Sequence, residues 1–251
     1  MAFASLVDTT ETTYASLLSS FSVDMPASTV SGRLLVCLAA IQTPGNAPSG
    51  WTRKGYQSHP TLGGLGIYAK VADGTEGGTS VNFVNSDGSS FGAFQVQQYS
   101  DWYGGLDGLE LSAFSTQNDT TAPNTPTITA SWGTLDNKFV SVFAHWNLFG
   151  GASTVSAYPT NYTGGNEANA FGSNSVCAVA NSYRDLAAAT DDPGVATVSN
   201  TDDIISVTLV IRTTTIPTGA TGTVSSNLPR MIAQATGTGV PRNVRSSAVI
   251  T

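Results

Sequence analysis

Apolar positions along this chain come in short runs, each cut off by Gly, Pro, Ser, Thr or Asn. LLVCLAAI (34–41), LGIYAKVA (65–72), FGAFQVQQY (91–99), KFVSVFAHW (138–146) and IISVTLVIR (204–212) are the clearest. They are rich in β-branched and aromatic residues and too short for helices, the signature of strands joined by turns. The pattern predicts strands at 21–24, 33–41, 66–72, 79–84, 91–99, 109–114, 127–131, 138–146, 175–181, 195–198 and 204–212. In KFVSVFAHW, Val140, Val142, Ala144 and Trp146 share one apolar face, and Phe139, Ser141, Phe143 and His145 form a mixed one. In IISVTLVIR, Ile205, Val207, Leu209 and Ile211 share a face. LLVCLAAI is apolar on both faces, as in a central strand covered from both sides.

Two stretches carry weak helical patterns: 13–20 (TYASLLSS), which reads equally well as a β-segment, and 183–189 (YRDLAAA). Predicted loops are 42–61, 85–90, 100–108, 115–124 and 149–173. The last is the longest, and so long a connection is usually functional or reaches towards a partner. The expected fold is therefore all-β: an antiparallel β-sandwich, jelly-roll-like, with an extended C-terminal arm. Residues 1–20 are read as an N-terminal segment, 21–212 as the sandwich domain and 213–251 as the arm, where no strand exceeds about four residues.

Charged residues are only 11% of the chain, against roughly 25% in ordinary globular proteins. Gly (26 residues), Ser, Thr and Asn supply the polarity instead, a composition that suits extracellular, virion or adhesin-like β-proteins better than cytosolic enzymes. The net charge of −7 is uneven: 213–251 holds Arg230, Arg242 and Arg245 and no acid. The remaining seven bases and all seventeen acids leave 1–212 at −10. A basic arm beside an acidic body suits docking onto a neighbouring subunit; three scattered arginines in an ordinary tail are the other reading. The body has no clustered basic face for nucleic acid. No apolar run of about 18 residues predicts a membrane span, and the first 18 residues lack the basic and apolar regions of a secretion signal. Cys37 and Cys177 lie inside apolar runs; they are read as small buried hydrophobes, with a disulfide as the alternative.

The succession VDMP, GRLLVCLAAI, P-SGWT and LGIYAKVADGTEGG, then an aromatic strand ending in YSDW, resembles a pattern of bacteriophage virion proteins. The residues that carry the resemblance are Pro26, Gly32, Leu34, Leu35, Gly50, Trp51, Thr52, Tyr68, Lys70, Ala72, Gly74 and Glu76, within residues 20–103; Arg33 stands where an acid is common in that pattern. The resemblance implies a particle component of the capsid decoration, head spike or tail-fibre kind, on the exposed virion surface. It further implies homo-oligomers, trimers above all, in contact with capsid or tail proteins, and no chemistry.

Catalytic signatures are sparse. His59 precedes Pro60 in a loop; His145 lies in a strand and is read as packed or interfacial. No C-x-x-C or H-x-x-x-H occurs, so no metal or cofactor is assigned, and no catalytic residue is nominated. Four Glu and many turn-placed Asp leave a glycosidase-type carboxylate pair as a minor alternative, a glycan depolymerase. Calcium at 85–87 or 202–203 lacks the spacing of a known ligand loop. The loop SDWYGGLDG offers Asp101, Trp102 and Tyr103, and the long loop adds Tyr158 and Tyr162, as residues that would contact a host surface glycan. A receptor-binding module is thus the alternative to a purely structural virion protein.

Overall fold

The computed structural model describes residues 3–59, 63–86, 88–148, 151–172 and 175–214. In chain order its strands begin with β1 (Ser5–Leu18), β2 (Ser20–Asp24), β3 (Leu34–Ile41), β4 (Thr52–Ser58), β5 (Gly64–Val71), β6 (Ser80–Val84) and β7 (Ser90–Ser100). After a short 3-10 turn at Leu106–Gly108 follow β8 (Leu109–Leu111), β9 (Ser115–Thr120), β10 (Asn124–Thr125), β11 (Ile128–Thr129) and β12 (Leu135–Leu148). The chain continues through β13 (Val155–Ala157), β14 (Thr163–Gly172) and β15 (Ser175–Ala188). The last are β16 (Thr190–Asp191), β17 (Gly194–Val195), β18 (Thr197–Val198) and β19 (Asp202–Ile211).

Two antiparallel sheets carry the fold. One has the order β1-β7-β3-β5-β4; the other has β14-β15-β12-β19-β8, with β9 also paired to β19. Their inner faces share one core. Leu34, Val36, Leu38 and Ala40 of β3 meet Val140, Val142, Ala144 and Trp146 of β12 and Ile205, Val207, Leu209 and Ile211 of β19 within it. The alternation read from 138–146 and 204–212 is thus the side-chain period of two half-buried strands. Within this layer Gln97 of β7 donates to Asn181 of β15 at 2.8 Å and accepts from the Tyr99 hydroxyl at 2.7 Å. This satisfied polar seam ties one sheet to the other.

Both outer faces are covered as well. A β2-β6 ribbon lays Phe21, Val23 and Phe83 over Leu35, Cys37, Ala39 and Ile41, the second face of LLVCLAAI. Phe83 lies 5.1 Å from Tyr68 and 5.8 Å from both Trp51 and Phe94, ring centre to ring centre. Each such side chain is worth about 1.5–3 kcal/mol for its removal from water. On the other sheet the two-residue pairs β10-β17 and β11-β16 and the β13-β18 pair accompany two smaller apolar clusters, around Phe139 and around Phe143.

The residues of the Val23–Trp102 pattern have structural roles here. Lys70 Nζ lies 2.7 Å from Glu76 and 3.2 Å from Asp73; Glu76 also accepts from the backbone N–H groups of Asp73 and Gly74, each at 3.0 Å. Gly74 takes φ +93°, a left-handed conformation that costs glycine nothing. The Tyr68 hydroxyl donates to the Gly45 carbonyl at 3.0 Å.

Several expectations change. A jelly roll winds successive strands alternately into its two sheets. Here the chain completes one sheet by Ser100 and builds the other from Leu109 onwards, so that winding is absent. Residues 5–18, set apart as a terminal segment, are the edge strand β1, and the helical pattern at 13–20 lies within β1 and β2. All but the last residue of the helical pattern at 183–189 is the far end of β15, with 183–188 paired in register with 135–140 of β12. The loops at 42–61, 115–124 and 149–173 contain β4, β9, and β13 with β14. Cys37 faces the ribbon while Cys177 lies between the sheets, both as free thiols, so the disulfide alternative falls. The arm begins as a bridge between Thr213 and Trp102; Arg230, Arg242 and Arg245 lie outside the described residues.

Candidate functional site

Polar chemistry inside the protein concentrates at one end of β12. His145 points to the outer face of its sheet and is fully buried. Its Nδ1 lies 2.8 Å from Asp202, at the start of β19, and its Nε2 lies 2.9 Å from Glu167, on β14. Asp202 also accepts from the Ser153 hydroxyl and, at 2.9 Å, from Asn147 Nδ2. Glu167 accepts from the Val155 N–H at 2.9 Å and from Asn169 at 3.2 Å. Burial alone would push the imidazole down, but the hydrogen bonds and charges of Asp202 and Glu167 outweigh it, and the net direction is up.

The geometry suits the protonated imidazole, whose two N–H groups donate to the two carboxylates. Activating a nucleophile takes one ring nitrogen free to accept a proton. Both nitrogens of His145 face carboxylates, and Ser153 bonds to Asp202 instead of to the ring. The arrangement fixes the 151–155 segment and β14 to the sheet. Asp202, one half of a candidate calcium pair, belongs to this cluster; among the described residues no His, Cys, Asp and Glu group is placed to hold a metal ion. Burial pushes both thiols, Cys37 and Cys177, up and out of the reactive range.

The five glycan candidates separate. Asp101 adopts φ +56° and is exposed. Trp102 turns inward: it is 4% exposed, joins the inter-sheet core and donates its indole N–H to the Gly32 carbonyl at 2.9 Å. Tyr162 is 8% exposed, and its hydroxyl donates to Asp191 at 2.6 Å beside the Arg184–Asp191 ion pair. Neither ring offers a face to a sugar, which corrects the reading of Trp102 and Tyr162 as contact residues. Tyr158 is half-buried over Gly165, in the cluster around Phe143 and Ile204. Tyr103 alone of the four aromatic residues is exposed, at 41%.

Tyr103 has company that the sequence did not nominate. The Arg212 guanidinium carbon lies 4.0 Å from the Tyr103 ring centre and 5.9 Å from that of Trp132. The Trp132 indole N–H donates to Asn137 at 2.9 Å, which fixes that ring. Glu110, on the neighbouring strand β8, directs its carboxylate to the Ser131 N–H and hydroxyl. No ion pair to Arg212 occurs among the described residues, and its Nε is sealed from solvent without an acceptor. The sequence signals were slight: an arginine closing an apolar run, and a Trp inside a turn-like SWGT. No protein-family model, curated protein or solved structure matches this chain.

Proposed function

We propose that this protein is a display module of a phage-like particle: a structural virion protein of the decoration, spike or tail kind, assembling as a homo-oligomer through its terminal segments. One observation carries the reading. The body is closed on itself, with both sheets covered on both faces, while the chain runs on past Thr214 into a segment with three arginines and no acid. A body of this kind leaves assembly to extended chain, which joins a neighbour through main-chain hydrogen bonds without a preformed pocket. The composition, poor in charge and rich in Gly, Ser and Thr, and the resemblance of residues 20–103 to virion proteins support the same reading.

Truncation after Thr214 tests it. The full chain is expected to sediment as an oligomer, trimers foremost, and the shortened chain as a folded monomer with an unchanged melting temperature. Oligomers of wild-type size from the shortened chain would refute a role for the arm. A second reading, recognition of host surface polysaccharide, is supported by the exposed Tyr103 beside Arg212 and Trp132.

A further inference from the structure

We infer that Tyr103, Arg212 and Trp132 form a binding site for a carboxylated sugar, a uronic or sialic acid unit set among neutral sugars. The inference rests on the polysaccharide reading and names the substrate class. Stacking between a guanidinium and aromatic rings holds the cation in place before any ligand arrives, so little side-chain freedom remains to be lost on binding. Among the described residues the Arg212 Nε, sealed from water, has no acceptor, and Glu110 is committed to Ser131. A planar fork without an anion, pressed against an exposed ring, matches a ligand that carries both a carboxylate and an apolar ring face.

Charge narrows the class. The body, residues 1–212, carries −10, and densely charged polymers are repelled by it. Phosphate and sulfate groups are recognised by clusters of cations; at this site one arginine stands between two rings. A single carboxylate needs one arginine, and a pyranose lays its C–H face on Tyr103 as Tyr and Trp rings commonly do in wet sites. Spaced carboxylates on a mostly neutral glycan satisfy both conditions.

The test uses the full chain with hyaluronan, gellan and sialyllactose, each beside its carboxyl-reduced or neutral counterpart, together with dextran sulfate and a neutral polysaccharide panel. Binding to one or more of the carboxylated glycans is expected, and loss of that binding on reduction of the carboxyl. Arg212→Gln should weaken it about 10- to 100-fold, the range for losing a charge-assisted hydrogen bond pair. Arg212→Lys should restore only part of it, because the ammonium lacks the planar fork. Tyr103→Ala should also weaken binding, with the melting temperature as the check that each variant folds. Equal binding before and after carboxyl reduction overturns the carboxylate assignment and leaves the polysaccharide reading standing. Preference for dextran sulfate overturns it as well. Binding to none of the glycans, neutral ones included, removes both.

Discussion

Replacing His145 with alanine is expected to lower the unfolding free energy by about 3–5 kcal/mol, the cost of leaving a buried charge without its partner. The orphaned group is Asp202, whose side chain is fully buried with His145 between it and Glu167. The effect has a pH signature of known sign. The imidazole has an ordinary pKa near 6.5 and a higher one in the folded protein. A group raised on folding stabilises fully below its unfolded value, and that contribution is lost as pH climbs through the folded value. The wild-type advantage over His145→Gln should therefore be greatest at about pH 6 and shrink on the alkaline side. Urea midpoints of both proteins at several pH values above 6 measure it. A difference between them that stays constant, or grows with pH, would show that the imidazolium is not what holds Asp202 and Glu167.

The second large effect belongs to Trp102. Truncation to alanine should cost about 3–5 kcal/mol, because it opens a cavity between the sheets and strips the Gly32 carbonyl of its donor. Its neighbour Tyr103 should behave differently. With 41% of its surface exposed, Tyr103→Ala should change stability by about 0.5 kcal/mol or less. Thermal melting of the two variants side by side separates them; similar losses would mean that Tyr103 has a packing role its exposure does not reveal. Trp102→Ala is consequently a poor probe of glycan contact, since any loss of binding would follow from loss of fold.

The contrast between these adjacent residues shows where the sequence was legible. Strands that bury apolar side chains on one or both faces announced themselves: 34–41, 91–99, 138–146 and 204–212 fall within a residue or two of β3, β7, the centre of β12, and β19. Edge strands did not. β1 reads SLVDTTETTYASLL and β4 reads TRKGYQS; each pairs on one side only and has no residue in the fully buried class, so no apolar period marks them. β14 hid behind glycines and asparagines, its inward positions being the small Ala168 and Ala170. The aromatic cluster at 101–103 was visible as composition, yet which ring is buried depends on the inter-sheet core that Trp102 enters, which a sequence does not display. Arg212 and Trp132 approach Tyr103 only through the pairing of β19 with β8 and the turn after β11. His145 was rightly read as packed, but its partners lay in a presumed loop and a presumed turn, at Glu167 and Asp202.

Sheet by sheet construction also orders events at the ribosome. The aromatic cluster beneath the ribbon draws its residues from 14 to 96 alone, so every member is present before the second half of the chain has been made. The inter-sheet core has no such independence: its last contributor, Ile211, arrives more than a hundred residues after Leu34. Until then the sheet built from residues 5–100 has the ribbon for one face but no partner for the face of Leu34, Val36, Leu38 and Ala40. Exposed apolar strands of that kind pair with other strands, those of neighbouring chains included. The synthesis of residues 100–211 is thus the interval in which that face lacks its partner sheet.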